Sequence, residues 1–176
     1  MNLLHDFWFI QSIGLVALLF GILTWNAKTR NNIFLLQSVG LLFFTIHYLL
    51  LAAYAGAVMC VVTLGRNLIF VNKTKKKWAD HRIWFYLVVF VSVFVLFIFW
   101  QGWITILPVV GVVVGTSAMS QNRPADIRFY MLITCIIWIP YTLFVHSYSG
   151  LLSQIVGILG ILIGMYRLDR KSPSIS

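Results

Sequence analysis

Seven apolar stretches, each about as long as a bilayer-crossing helix, fill most of this chain. The hydrocarbon core of a bilayer is about 30 Å thick and needs about 20 helical residues to cross it. Unpaired backbone N–H and C=O groups are costly in lipid, so each stretch is expected to form a continuous helix. The predicted helices are Phe7–Asn26, Ile33–Ala53, Ala55–Val71, Ile83–Trp100, Ile104–Ser120, Ile127–His146 and Leu151–Arg167.

Charged residues are too few to cover a water-soluble globule. They make up 10% of the 176 residues, and hydrophobic residues make up 61%. Soluble domains carry about 25% charged residues. One integral membrane domain, residues 1–176, is therefore predicted. The formal net charge of +9 lies in short segments between apolar runs, which indicates anionic lipid at the cytoplasmic face as the partner rather than nucleic acid.

The basic residues segregate to alternate connections between the predicted helices. Twelve of the thirteen Lys and Arg residues lie after helices 1, 3, 5 and 7, whereas the N-terminus and the connections after helices 2, 4 and 6 have none. Because cytoplasmic loops carry the excess of Lys and Arg, the N-terminus is predicted outside and the C-terminus inside. The twelve residues are Lys28, Arg30, Lys73, Lys75, Lys76, Lys77, Arg82, Arg123, Arg128, Arg167, Arg170 and Lys171.

The chain also carries an internal repeat. A shift of 94 residues, without gaps, lays helices 1–3 over helices 5–7 and matches loop lengths, charge positions and a Tyr-x-Gly turn. Helix 4 has no counterpart, so the two three-helix units are predicted to be parallel. This gives a 3+1+3 arrangement: a first unit over 7–72, a linker helix over 83–100 and a second unit over 104–168. Matching residues include Ile10 and Ile104, Gly21 and Gly115, Tyr54 and Tyr148, and Gly56 and Gly150.

The stretch Leu35–Ala57, the Gly-Arg-Asn at Gly65–Asn67 and the short basic turn before Asn31 resemble the YgjV-type bacterial inner membrane proteins. That resemblance covers nearly the whole chain and implies the bacterial inner membrane as its location. Two parallel three-helix units joined by one helix also resemble the MtN3/SWEET superfamily of sugar facilitators, a group of parallel-repeat transporters. The wider resemblance implies a transport role.

The usual signatures of enzymes are missing from the sequence. Glutamate is absent, and Asp6, Asp80, Asp126 and Asp169 lie at helix ends or in loops. No HExxH, GxSxG or phosphate-binding loop is present, nor a cluster with metal-ligand spacing. We therefore expect no enzyme activity, catalytic residue, metal or cofactor.

Arg66 is the only charged residue inside a predicted helix core. One interpretation is that its side chain extends to the cytoplasmic headgroups. Against this, Cα–Cβ bonds tilt toward a helix N-terminus, which here points outward. The other interpretation is a packed polar site inside the bundle, and the orientation of the bond favours it.

Further polar and aromatic residues fall at helical spacing on helices 2, 3 and 6. The hypothesis is a substrate pocket between the two units, and two of its members also have a purely structural interpretation. His47 fits a neutral imidazole bonded between helices, and Trp138 fits core packing. Glycines on helices 1, 5 and 7 are typical of close helix packing. The candidate substrate-binding residues are Arg66, Asn67, His47, Trp138 and Tyr141.

The leading functional prediction is a passive facilitator for a small solute. With one intramembrane cation and no carboxylate, the pocket should favour a neutral polar or anionic solute. His47 is the one ordinary proton carrier inside the membrane, since an unperturbed imidazole has a pKa of about 6.5. The alternative is a non-transporting scaffold or subunit of a membrane complex, whose polar groups should pair with each other. Association into a homo-oligomer is left open.

Overall fold

The computed structural model describes residues 3–26, 30–72, 76–121 and 124–169, and these ranges hold seven α-helices joined by turns and short helical segments. The helices are α1 (Leu3–Asn26), α2 (Arg30–Leu50), α3 (Tyr54–Phe70), α4 (Ile83–Ile98), α5 (Ile106–Ser120), α6 (Pro124–Phe144) and α7 (Tyr148–Gly164). Single 3-10 turns at Lys77–Asp80 and Trp103–Thr105 precede α4 and α5, and a π-helical turn at Met165–Asp169 follows α7.

The prediction of an all-helical, seven-helix membrane protein is confirmed. The helix ends fall within a few residues of those expected from the apolar stretches. By length and composition, α1, α2, α5, α6 and α7, with short flanks, can cross a membrane. The apolar helices α3 and α4 are shorter, with 17 and 16 residues. At 1.5 Å per residue they are roughly 24–26 Å long.

Half of the basic residues behind the predicted orientation lie outside the described residues. These are Lys28, Lys73, Lys75, Arg123, Arg170 and Lys171. The placement of the N-terminus outside and the C-terminus inside stays a prediction from the charge pattern.

Six of the seven helices pack in a ring. α2 packs between α1 and α3, and α6 packs between α5 and α7. The ring is closed on one side by α1 against α7 and on the other by α3 against α5. α4 lies outside the ring and packs on α3 and α5. The interior of the ring is thus formed by the other six helices.

The bundle has two ends that differ in their polar residues. The His47 end holds the starts of α1, α3, α5 and α7, and there Gln11 donates to the carbonyl of His146 (2.9 Å). The Arg66 end holds the opposite termini, and there Asn67 of α3 donates to Gln37 of α2 (3.0 Å).

The helix bounds repeat with the same 94-residue shift that relates the two halves of the sequence. α2 and α6 correspond residue for residue, as do α3 and α7. The tight turns that follow α2 and α6 agree in detail. Ala52 and His146, which are equivalent, both have left-handed backbone with φ of 54° and 53°. The same backbone hydrogen bonds surround them, from Ala53 to Tyr48 and from Ser147 to Thr142, each 2.9 Å long.

Large apolar side chains cover the outside of the bundle. On α4, Tyr86, Phe90, Phe94 and Phe97 are 57–76% exposed. A contiguous apolar surface of this kind is unfavourable in water but suited to acyl chains. The outer surface is therefore the surface that meets lipid.

Candidate functional site

A cavity of about 190 Å³ lies inside the helix ring. This is enough for several water molecules, since each needs about 10–15 Å³ of such volume. All six ring helices contribute to its wall. Its lining residues are Ala17, Gly21, Thr24, Gln37, Gly40, Leu41, Phe44, Tyr48, Cys60, Thr63, Arg66, Gly111, Val112, Gly115, Met131, Thr134, Cys135, Trp138, Ser153 and Gln154.

Residues that are 94 positions apart in the sequence line the cavity together. Seven pairs of lining residues are related by the 94-residue shift, so the wall follows the repeat over most of its surface. The other six lining residues, Arg66 among them, have no lining equivalent, and the residue equivalent to Arg66 is Gly160. The pairs are Ala17 and Gly111, Gly21 and Gly115, Gln37 and Met131, Gly40 and Thr134, Leu41 and Cys135, Phe44 and Trp138, and Cys60 and Gln154.

Arg66 is the charged group of the cavity wall. Its side chain is 4% exposed, and its Nε and Nη2 donate to Asn67 Oδ1 at 3.3 and 2.9 Å. Nη1 donates to Thr116 Oγ1 of α5 at 3.4 Å. The guanidinium also lies near Gly115 of α5, where a built Cβ would be 3.5 Å from Nη1, an ordinary contact distance. The side chain therefore points into the bundle, as the packed-interior interpretation requires.

The charge of Arg66 has no carboxylate partner among the described side chains. Its three hydrogen bonds all go to neutral oxygens of Asn67 and Thr116. A guanidinium has five N–H bonds, so two have no acceptor in the described part of the chain. A buried charge without an opposite charge is costly. The site is therefore electrostatically suited to an anion.

Aromatic rings form the wall nearer the His47 end. Phe44 stacks on Tyr48 with centroids 5.9 Å apart, and Tyr48 stacks on Trp138 at 6.1 Å. The Trp138 indole lies directly against the backbone at Gly111, where any Cβ would collide with it. Because Gly111 has no side chain, α5 leaves room for the indole of Trp138 at this position.

A second polar cluster lies at the His47 end, outside the cavity wall. His47, Gln11, Ser147 and Ser149 are all buried. His47 contacts the Ile10 carbonyl (2.9 Å) and Ser147 Oγ (2.7 Å). The backbone N–H of Ser149 and its hydroxyl both donate to Gln11 Oε1 at 3.0 Å. We call these four side chains the His47 cluster.

The hydrogen bonds of this cluster fit a neutral imidazole. A carbonyl can only accept, so Nδ1 must carry a proton and donate to Ile10. Nε2 is then free to accept from Ser147 Oγ, and that hydroxyl accepts in turn from the Gly150 N–H (3.2 Å). His47 therefore fits the structural interpretation, a histidine hydrogen-bonded between helices.

Tyr141, which lies 94 positions after His47, plays the corresponding structural part at the start of α3. Its hydroxyl accepts from the Gly56 N–H (2.8 Å) and donates to the Ala53 carbonyl (3.5 Å). This satisfies a free N–H at the start of α3, as a capping residue would. Tyr141 and His47 occupy equivalent positions, and each bonds to the turn that begins α3 or α7.

The five candidate residues thus fall at three places. Arg66 and Trp138 line the cavity, and Asn67 supports Arg66 from behind. His47 and Tyr141 secure the starts of α7 and α3. Their role in substrate binding stays a prediction.

Four polar residues that bond to Arg66 or belong to the His47 cluster carry no signal of their own in the sequence. They are Gln11, Thr116, Ser147 and Ser149. Applying the repeat to Tyr141 and His47 could have pointed to the turns that they contact. In the described ranges, no group of three or more His, Cys, Asp or Glu could hold a metal ion.

Comparison with known families gives a match over most of the chain. Residues 8–172 match the model of a family described as Imp-YgjV, bacterial inner membrane protein. No curated protein and no solved structure matches the chain.

Proposed function

We propose that this chain, which belongs to the YgjV-type family of bacterial inner membrane proteins and crosses that membrane several times, is a passive facilitator for a small solute. The solute binds in the cavity between two three-helix units, α1–α3 and α5–α7, which α4 joins. The pairwise equivalence of the lining residues and the mirrored contacts of α1 with α7 and α3 with α5 support this 3+1+3 arrangement and its likeness to SWEET facilitators.

The observation that carries the proposal is a buried guanidinium in the wall of the cavity between the ring helices. Intramembrane charges are expensive and commonly mark substrate or ion pathways. Arg66 lines a space that six helices surround, and no described carboxylate neutralises it. The transported solute is accordingly neutral and polar, or anionic.

The test is solute entry into vesicles that contain the purified protein. Osmotic light scattering with small polyols, sugars, monoanions and organic cations should show entry of a neutral or anionic solute and exclusion of the cations. Gly21→Leu fills the cavity, since the nearest atom to a Cβ there is Ser153 Oγ at 3.9 Å. It should abolish entry.

The matched control is Gly65→Leu. Gly65 is exposed and a Cβ there meets nothing within 4 Å, so the same side chain is added on the lipid-facing surface next to Arg66. This variant should keep full entry. Equal entry through both variants would show that solute does not pass through the cavity.

One observation favours the alternative, a scaffold or subunit that does not transport. Every described buried side-chain nitrogen or oxygen has a hydrogen-bond partner within the protein. The His47 cluster in particular is paired with itself. A scaffold would show no solute entry in the vesicle assay and would copurify with a fixed stoichiometry of a membrane partner.

A further inference from the structure

The cavity differs in chemistry from one end to the other. At the level of Gly115, the Arg66 guanidinium and the Thr134 side chain flank the space. At the level of Gly111 the Trp138 indole forms the wall. The two glycines are four residues apart on α5, which corresponds to about 6 Å along the helix axis.

The charged end has the geometry for one carboxylate. The side chain of Arg66 donates to Asn67 Oδ1 through Nε and Nη2. Asn67 in turn donates to Gln37 Oε1 at 3.0 Å, which limits the orientations open to the guanidinium. Nη1 and Nη2 each keep one N–H without a described acceptor, and a carboxylate can accept charge-assisted hydrogen bonds from a guanidinium. One cation and no second basic side chain in the wall match one negative charge.

The opposite end has the chemistry for an apolar group. Phe44, Tyr48 and Trp138 present stacked rings to the cavity. Apolar walls with a few placed polar groups are typical of small-molecule sites. A strongly hydrated inorganic anion would gain nothing from these rings.

We propose that the cavity binds a small monocarboxylate, with the carboxylate on Arg66 and an apolar group on the aromatic wall about 6 Å away. This rests on the proposed function for its pathway but makes a separate claim about binding. Benzoate has suitable dimensions and serves as the probe. Benzamide has the same shape without the charge.

The experiment is isothermal titration calorimetry on the purified protein in detergent. The wild-type protein should bind benzoate and bind benzamide at least ten-fold more weakly. Arg66→Gln should weaken benzoate binding ten-fold or more, because hydrogen bonds to charged groups are among the strong ones. The control Arg167→Gln removes an exposed arginine beyond the Arg66 end and should leave the affinity unchanged.

Trp138→Leu tests the aromatic wall. It should weaken binding of benzoate more than binding of acetate, because only benzoate reaches the indole. Equal loss for both ligands would contradict the assigned direction of the ligand.

Two further results separate the outcomes. If Arg66→Gln does not give a monodisperse protein, Gly115→Leu places a side chain over the guanidinium without removing the charge, and should also abolish binding.

Benzoate binding that is matched by benzamide, or that persists in Arg66→Gln, overturns the monocarboxylate site. Benzoate binding without solute entry into vesicles keeps the site and removes the facilitator. Entry of neutral solutes without benzoate binding keeps the facilitator and removes the monocarboxylate site.

Discussion

At the scale of single residues, Gly111 shows how closely the Trp138 indole packs against α5. A Cβ at Gly111 would collide with the indole nitrogen. Gly111→Ala should therefore lower the free energy of unfolding by about 1–3 kcal/mol, the usual cost of overpacking. The measurement is thermal unfolding in detergent.

Gly65→Ala is the control for this prediction, because a Cβ at Gly65 meets nothing. It should change stability by less than about 0.5 kcal/mol. Equal stability of the two variants would mean that the indole is not packed on the α5 backbone.

Ser147 is the residue on which the His47 cluster depends. Its hydroxyl accepts from the Gly150 N–H and bonds to His47 Nε2. Ser147→Ala should lower the free energy of unfolding in detergent by about 1–2 kcal/mol, since hydrogen bonds between membrane helices contribute roughly 0.6–1.7 kcal/mol. Ser12→Ala, which removes an exposed hydroxyl bonded to the Phe9 carbonyl of its own helix, should be nearly neutral. A similar loss of stability in both would argue against a special role for the cluster.

At the scale of elements, the start of α3 depends on a side chain from α6. Tyr141→Phe removes the acceptor for the Gly56 N–H. We expect faster hydrogen exchange at the first turn of α3 and a loss of about 1 kcal/mol in stability. Tyr86→Phe, on the exposed face of α4, should change neither. Unchanged exchange at Gly56 in Tyr141→Phe would show that α3 begins without this cap.

The elements themselves could be predicted from the sequence, because apolar length and loop charge decide where membrane helices begin and end. For Arg66 the tilt of the Cα–Cβ bond toward the helix N-terminus only favoured a packed interior site over a side chain extended to the cytoplasmic headgroups. It could not divide the five candidate residues between the cavity and the turns. Whether Tyr141 faces a cavity or the start of α3 depends on contacts between residues 85 positions apart, which no local pattern records.

At the scale of the whole molecule, the orientation in the membrane can be measured directly. Single cysteines at Trp103 and His146, both exposed at the His47 end, should react with an impermeant reagent from the periplasmic side. A cysteine at Lys77, exposed in the turn between α3 and α4, should react only after permeabilisation of the inner membrane. Labelling of Lys77→Cys from outside would reverse the predicted orientation.

The absence of a carboxylate in the cavity wall leads to a prediction about energy coupling. Reconstituted protein should equilibrate its solute without accumulating it under an imposed pH gradient. His47→Gln should behave in the same way, because His47 lies outside the cavity wall and its ring nitrogens are both occupied. Accumulation that follows the gradient would demonstrate a proton route elsewhere in the protein.

The pairing of Arg66 with Gly160 across the repeat has a consequence for the ancestry of such a chain. Two copies of the first half, assembled as the two halves are here, would bring a pair of guanidinium groups to one small cavity with no carboxylate between them. Like charges in a poorly solvated space repel strongly. We therefore expect a homodimer of the first half to disfavour an arginine at this position, whereas a fused chain can carry the charge in one half alone.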